Sequence, residues 1–330
     1  GNCFATAVTD PAINQDPVIS PVIVPRSIPV KTPFQLVGTA TDADSVGVNY
    51  QWDQMNAGSP TNSSSFGTDR GDNALYRSYA PQSSGLRDFP ALGTQLGTLV
   101  MGTPTKLYDK AEVLPCQSRN IDLRLTVRDN NSGQAVQNVR LSAHAGAGPF
   151  RVTNFNTLPQ PAILTNNPAI TVTWEVAQTD LAPVSCTNVQ IDLLTFNNSS
   201  YAQYSVHNLV ANTANDGSAQ VNFNLVDPTL SHPRARLRVK CADNYFYDIN
   251  DVDLSITGTD PTPTNYSDTD FTTFFNNNGT TTTTAPACGT PDVISPPRPD
   301  SGAIDWYWLM FMAGLAFVAR VLRLRAGSWS

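Results

Sequence analysis

Catalysis within one chain needs a nucleophile beside a base, a metal triad, or paired carboxylates in a cleft. The three histidines, His144, His207 and His232, are scattered, and none belongs to an H-E-x-x-H array. There is no G-x-S-x-G and no glycine-rich phosphate loop opening a helix. No catalytic residue is therefore assigned, and the chain reads as non-enzymatic. The carboxylates give one cofactor reading. Asp42 and Asp44 in DADS, with Asp129 in VRDNNSG, lie where strands end. Converging at one pole, they suit calcium, which takes about six to eight oxygens; Asx turns use the same residues without a metal. Asp248, Asp251 and Asp253 (DINDVD) read as charges that keep a strand edge soluble. Five cysteines stand far apart without a C-x-x-C, which excludes zinc ribbons and thioredoxin-type sites. Cys186 and Cys241 are expected to pair, closing a loop worth about 4 kcal/mol in the chain-entropy model. Cys3, Cys116 and Cys288 are left unassigned.

These residues need β-strands to position them. In a first region, residues 17–147, Val48, Tyr50 and Trp52 alternate, as do Ile121, Leu123, Leu125 and Val127, and a period of two buries one face of each strand. Trp52 therefore reads as core. Between these strands runs a long Gly-, Ser- and Thr-rich section, about 56–115, and long loops in compact domains are often functional. Tyr76, Tyr79 and Phe89 fall in it and are expected to form an exposed contact surface. A second region, residues 148–258, reads RVTNF, AITVTWEVA, NVQIDLLTF, AQVNFNL, RARLRVKCA and DVDLSI, with Trp174 in its second strand. Short strands, a buried Trp and a cross-sheet cysteine pair indicate an immunoglobulin-like sandwich. The fold class expected is all-β: two tandem immunoglobulin- or PKD-like β-sandwiches, after an irregular leader (1–16).

Periodicity then stops. Residues 259–302, rich in Thr, Asn and Pro, read as a disordered, semi-extended stalk. After it comes WYWLMFMAGLAFVA (Trp306–Ala319), fourteen uncharged residues without a polar face. With Arg320 snorkelling, residues 303–325 read as a single C-terminal transmembrane helix. Trp306 and Trp308 mark the interfacial belt, and Arg320, Arg323 and Arg325 the cytoplasmic side. The rest would lie outside the cytoplasm, behind an export signal upstream of Gly1. Charged residues make up only 14%, with 25 Pro and 20 Gly, which suits a turn-rich exported β protein; a net charge of −7 argues against nucleic acid as partner.

The run TPFQLVGTATDAD…YQWDQM, then DNALYRSYAP, then IDLRLTVRDNNSG…AGPFRVTNF, resembles the non-catalytic C-terminal half of secreted reprolysin-like zinc metallopeptidases of gamma-proteobacteria, over about residues 30–258. The resemblance implies an upstream metzincin catalytic domain, which these residues do not contain. Asp42, Asp44 and Asp129 resemble the acidic loop ends of PKD- and cadherin-like sandwiches. Ser301–Gly302 stands where such peptidases carry the glycine pair of a C-terminal sorting segment cut by a rhomboid-type protease, with one glycine here instead of two. The resemblance implies a bacterial cell-envelope location, with the C-terminus cytoplasmic before processing, then a surface or secreted form. The expected role is accessory: presenting a metallopeptidase, or binding a protein or the envelope. The alternative is a stand-alone surface adhesin or structural protein of the same modules.

Overall fold

The computed structural model describes residues 14–22, 26–44, 47–60, 68–96, 112–156, 163–164, 169–196, 204–223, 232–251 and 253–257. The stalk, Ser301 and Gly302, and the segment with Trp306, Trp308, Arg320, Arg323 and Arg325 lie outside these residues, as do Cys3 and Cys288. Among the described residues no helix is long and apolar enough to cross a membrane.

The described chain is all-β, apart from a one-turn helix. In the first region β1 (Val18–Ser20), β2 (Arg26–Pro29), β3 (Phe34–Val37), β4 (Thr39–Thr41), β5 (Asn49–Gln54) and β6 (Leu86–Phe89) precede the helix α1 (Leu92–Gln95). Then β7 (Arg119–Arg128) and β8 (Gln134–His144) form a long hairpin. The main sheet runs β2-β8-β7-β5, while β1 pairs with β4 and β3 with β6. Ile121, Leu123, Leu125 and Val127 of β7 are buried, as their alternation requires. Trp52 is buried too and donates its indole N–H to the Gly85 carbonyl at 2.9 Å; Val48 and Tyr50 are half-buried. Only glycine fits at 85, because a Cβ there would stand 1.9 Å from the Gly38 carbonyl oxygen.

The second region holds β9 (Arg151–Val152), β10 (Ile163–Leu164), β11 (Ile170–Glu175), β12 (Asn188–Phe196), β13 (Tyr204–Ala214), β14 (Ser218–Val221), β15 (His232–Cys241), β16 (Tyr247–Ile249) and β17 (Leu254–Thr257). One sheet is ordered β10-β17-β15-β12-β13, with β16 also on β15, and the other β14-β11-β9. Trp174 is buried, its indole N–H donating to Asn215 Oδ1 at 2.8 Å. Cys186 and Cys241, both fully buried, form the expected disulfide. Their separation of 55 residues makes the bond worth roughly 4 kcal/mol. The double variant Cys186→Ala/Cys241→Ala is thus expected to unfold at a markedly lower urea midpoint than wild type; equal midpoints would show the loop is held by packing alone.

Hydrogen bonds cross from residues 17–147 to residues 148–258 at several points. Gln35 N donates to Tyr245 O (2.9 Å), Tyr247 N to Pro33 O (3.0 Å), and Phe150 N to Thr32 Oγ1 (3.0 Å). Phe34, Phe89, Phe150 and Phe246 belong to one continuous apolar core with both tryptophans. Below it, Asp88 Oδ1 accepts from Tyr247 Oη (2.7 Å) and Gln35 Nε2 (2.8 Å). Burial raises the Asp88 carboxyl above its ordinary range, and these two donors offset only part of that rise. Cutting here would expose fully buried aromatics on both sides. Residues 17–147 and 148–258 expressed separately are expected to lack the cooperative thermal transition of the whole. Such a transition in either piece, at the temperature of the intact chain, would contradict this.

Candidate functional site

The section between β5 and β6 builds the one cavity that is assigned a role. Gln54 Oε1 accepts the backbone N–H of Leu75 (2.7 Å) and of Tyr76 (2.9 Å), turning both side chains inward. Tyr76 then packs edge-on against Phe34 (5.7 Å) and Phe89 (5.1 Å), and Phe89 stacks on Phe34 at 4.8 Å. Tyr76 and Phe89 are 5% and 0% exposed, so the expected contact surface of Tyr76, Tyr79 and Phe89 is corrected to Tyr79 alone. The reason is register: Phe89 lies on β6 directly opposite Phe34, and its apolar ring completes the core.

Tyr79 ends a pile of alternating rings and cations. The Arg77 guanidinium lies 4.4 Å from the Tyr79 ring centre and that of Arg87 4.7 Å; Arg87 also lies 4.6 Å from the Phe89 ring. Such contacts attract electrostatically and fix the ring's orientation. Arg87 donates to the carbonyls of Trp52 and Arg77 and, at 2.8 Å, to Glu112. Glu112, itself buried, also accepts from Arg77 N (3.2 Å) and Ala91 N (2.7 Å). Burial lowers the Arg87 guanidinium's affinity for its proton and Glu112 restores part of it. Beside this stack a cavity of about 350 Å³ opens at the edge of β5, with Tyr50, Gln51, Tyr79, Gln82, Leu86 and Arg87 in its wall. That volume is at the small end of ligand pockets. Burial, with Glu112 adding to it, raises the Tyr79 hydroxyl above the ordinary phenol range, so it is a neutral donor at physiological pH.

The acidic pole also forms. One carboxylate oxygen each from Asp42, Asp44 and Asp129 lies within 4.8 Å of the others. Each carboxylate, however, already accepts N–H donors. Asp129 Oδ1 takes Asn131 N (2.8 Å) and Gly133 N (2.7 Å), and its Oδ2 takes Asn14 Nδ2 (2.6 Å). Asp42 Oδ1 takes Asp44 N (3.0 Å) and Asp44 Oδ2 takes Gln15 N (2.8 Å). Burial works against the charge on Asp129, yet its three donors outweigh it and hold the carboxyl below the usual range. Among the described residues the three carboxylates give one converging oxygen each, half or less of what calcium takes, and amide donors aimed at them compete with a cation. The donor set does not fit calcium well, and no step is assigned to it. Cys186, Cys241 and Asp243 also converge, but the two sulfurs are joined to each other.

DINDVD is not the solvent-facing edge its composition predicts. Asp248 accepts Val152 N at 2.7 Å, and Asp253, 2% exposed, is paired with Arg236 at 2.6 Å. Only Asp251 is exposed. The partners come from β15, where HPRARLRVKC turns Ala235, Leu237, Val239 and Cys241 to the core and Arg234, Arg236, Arg238 and Lys240 to the other face. That face is covered as well: Arg234, Arg236 and Arg238 are buried, and Arg238 pairs with buried Asp192 at 2.7 Å. Sequence reasoning listed this segment as a strand but assigned neither its alternating cations nor the acids, which arrive from β12 and from the turn before β17.

No family model matches the sequence, and no curated protein matches it. Several solved structures are similar to the chain at low identity. The mixed-linkage glucan utilization locus protein SGBP-B of Bacteroides ovatus, solved with a mixed-linkage heptasaccharide, is 12% identical over 74% of this chain and 48% of its own, with a TM-score of 0.20. Drosophila N-cadherin EC1-4 is 12% identical over 74% of this chain and 51% of its own, with a TM-score of 0.22. A carbohydrate-binding module of the β-sandwich superfamily is 12% identical over 73% of this chain and 98% of its own, with a TM-score of 0.24. The chain thus spans about half the length of the first of these. Superpositions this loose assign neither fold nor ligand.

Proposed function

We propose that the chain is a non-catalytic binding region built from two β-sandwich units, and that it holds its ligand in the cavity beside Tyr79. The observation that carries this is the cavity itself: a half-buried phenol is fixed by two guanidinium groups at the mouth of a hollow with both apolar and polar walls. The reading in which the region serves a secreted, surface-sorted zinc metallopeptidase rests on the sequence motifs over residues 30–258 and on the small-residue, apolar and basic order of residues 301–325. In that reading the partners are the upstream catalytic domain, a rhomboid-type protease, the membrane, and a protein or envelope ligand.

Leu86, 40% exposed on the rim, gives a way to close the cavity without touching the core. The purified chain is expected to co-sediment with detergent-extracted, lipid-free cell-envelope fragments, which offer the apolar segment 306–319 no bilayer to enter, to lose this as Leu86→Trp, and to leave casein intact in the presence of zinc. Zinc-dependent casein cleavage, or co-sedimentation unchanged by Leu86→Trp, would overturn the proposal.

A further inference from the structure

The chemistry of the cavity wall narrows what it can hold; this step rests on the binding reading above. Strand addition is closed off. At Tyr50 both outward backbone groups of β5 are taken by Gln82, the N–H donating at 2.7 Å and the carbonyl accepting at 2.9 Å. Two residues on, the Trp52 carbonyl accepts from Arg87. An extended peptide would therefore have no free ladder to join at these positions. Charge recognition is weak too. Arg87 is neutralised by Glu112 at 2.8 Å, and Asp88 is committed to Tyr247 and Gln35. What remains is carbon on Tyr50, Leu86, Ala91 and Leu92, with the hydroxyls of Ser84 and Tyr79 and the Gln82 amide, whose nitrogen also donates to the Ala80 carbonyl at 3.0 Å; the Gln51 amide is held between Asp53 and Arg128.

A ligand matching this wall has apolar C–H faces to lie on carbon, and several neutral oxygens that both donate and accept. We infer that the cavity beside Tyr79 takes a sugar residue of an uncharged glycan, its ring packed on Tyr50 and Leu86 and its hydroxyls meeting the Gln82 amide and the Ser84 and Tyr79 hydroxyls. Cavity size limits the contact to a short stretch of such a chain, so affinity in the micromolar-to-millimolar range is expected.

The test is isothermal titration of the full chain with cellohexaose, mannohexaose and chitohexaose, alongside a heparin hexasaccharide and a proline-rich peptide. At least one neutral hexasaccharide should bind. Leu86→Trp should weaken it by about tenfold or more, and Tyr79→Ala by a similar factor. Val206→Trp, at an exposed site on β13, should leave it within about twofold. A neutral hexasaccharide held equally by wild type and Leu86→Trp would overturn the assignment of this site. Binding confined to heparin or to the peptide, or to none of the five, would overturn the ligand class. In that event envelope co-sedimentation that still depends on Leu86 would leave the binding reading standing, and co-sedimentation independent of Leu86 would remove both.

Discussion

Asp253→Ala is expected to destabilise the protein by about 3–5 kcal/mol, the cost of removing one partner from a buried ion pair. Asp253 Oδ1 receives Arg236 Nε at 2.6 Å, and Arg234 Nε lies 4.0 Å from its other oxygen. All three side chains are 2% exposed or less, so alanine would leave guanidinium charge inside the protein with its carboxylate gone. Water cannot reach them to repay the loss. Urea unfolding measures this directly. A midpoint shift corresponding to less than about 1 kcal/mol would mean that the charges reach solvent.

Five residues earlier the same kind of substitution is expected to do the opposite. Burial, assisted by the nearby Asp251 carboxylate, pushes the Asp248 carboxyl up to about 8, with the Val152 N–H pulling the other way. A carboxyl whose folded value is raised contributes stability below its ordinary value of 3.8, and that contribution is lost as pH rises through about 8. Wild type therefore sacrifices stability between about pH 4 and pH 8 on this account, on the order of a few kcal/mol at the upper end. Asp248→Asn keeps an oxygen to accept Val152 N–H and cannot ionise. Its stability relative to wild type should rise steadily over that interval and be greatest near pH 8. Paired urea melts at pH 5 and pH 8 check this; a difference between variant and wild type that does not change with pH would contradict it.

The contrast shows where sequence reading succeeded and where it failed. Period-two alternation in IDLRLTV and around Trp52 and Trp174 was enough to place the core faces, because burial of one strand face is a local property of the pattern. The Cys186–Cys241 bond was legible from two cysteines flanking strands that pair in register, Val189 opposite Cys241. DINDVD looked like a soluble edge because composition cannot reveal what the preceding strand β15 will bring against it. The alternating cations of β15 carried the missing clue: four of them on one face need acids, and three acids follow in that hexapeptide. Tyr76, Tyr79 and Phe89 failed for a related reason. All three lie in a Gly- and Ser-rich section, yet only Tyr79 stays at the surface, because Gln54 turns the chain in at Tyr76 and β6 delivers Phe89 to Phe34. The acidic pole was found by sequence as a convergence of three carboxylates, but the Asn14 and Gln15 donors that occupy it come from a segment read as irregular.

Hydrogen–deuterium exchange on the whole chain, with and without envelope extract, tests the binding account most directly. Protection is predicted to appear in peptides covering Tyr50–Trp52 and Tyr79–Leu92, the chain around the cavity, and to vanish in Leu86→Trp. Protection centred on Asp42, Asp44 and Asp129 instead, or none anywhere, would contradict it.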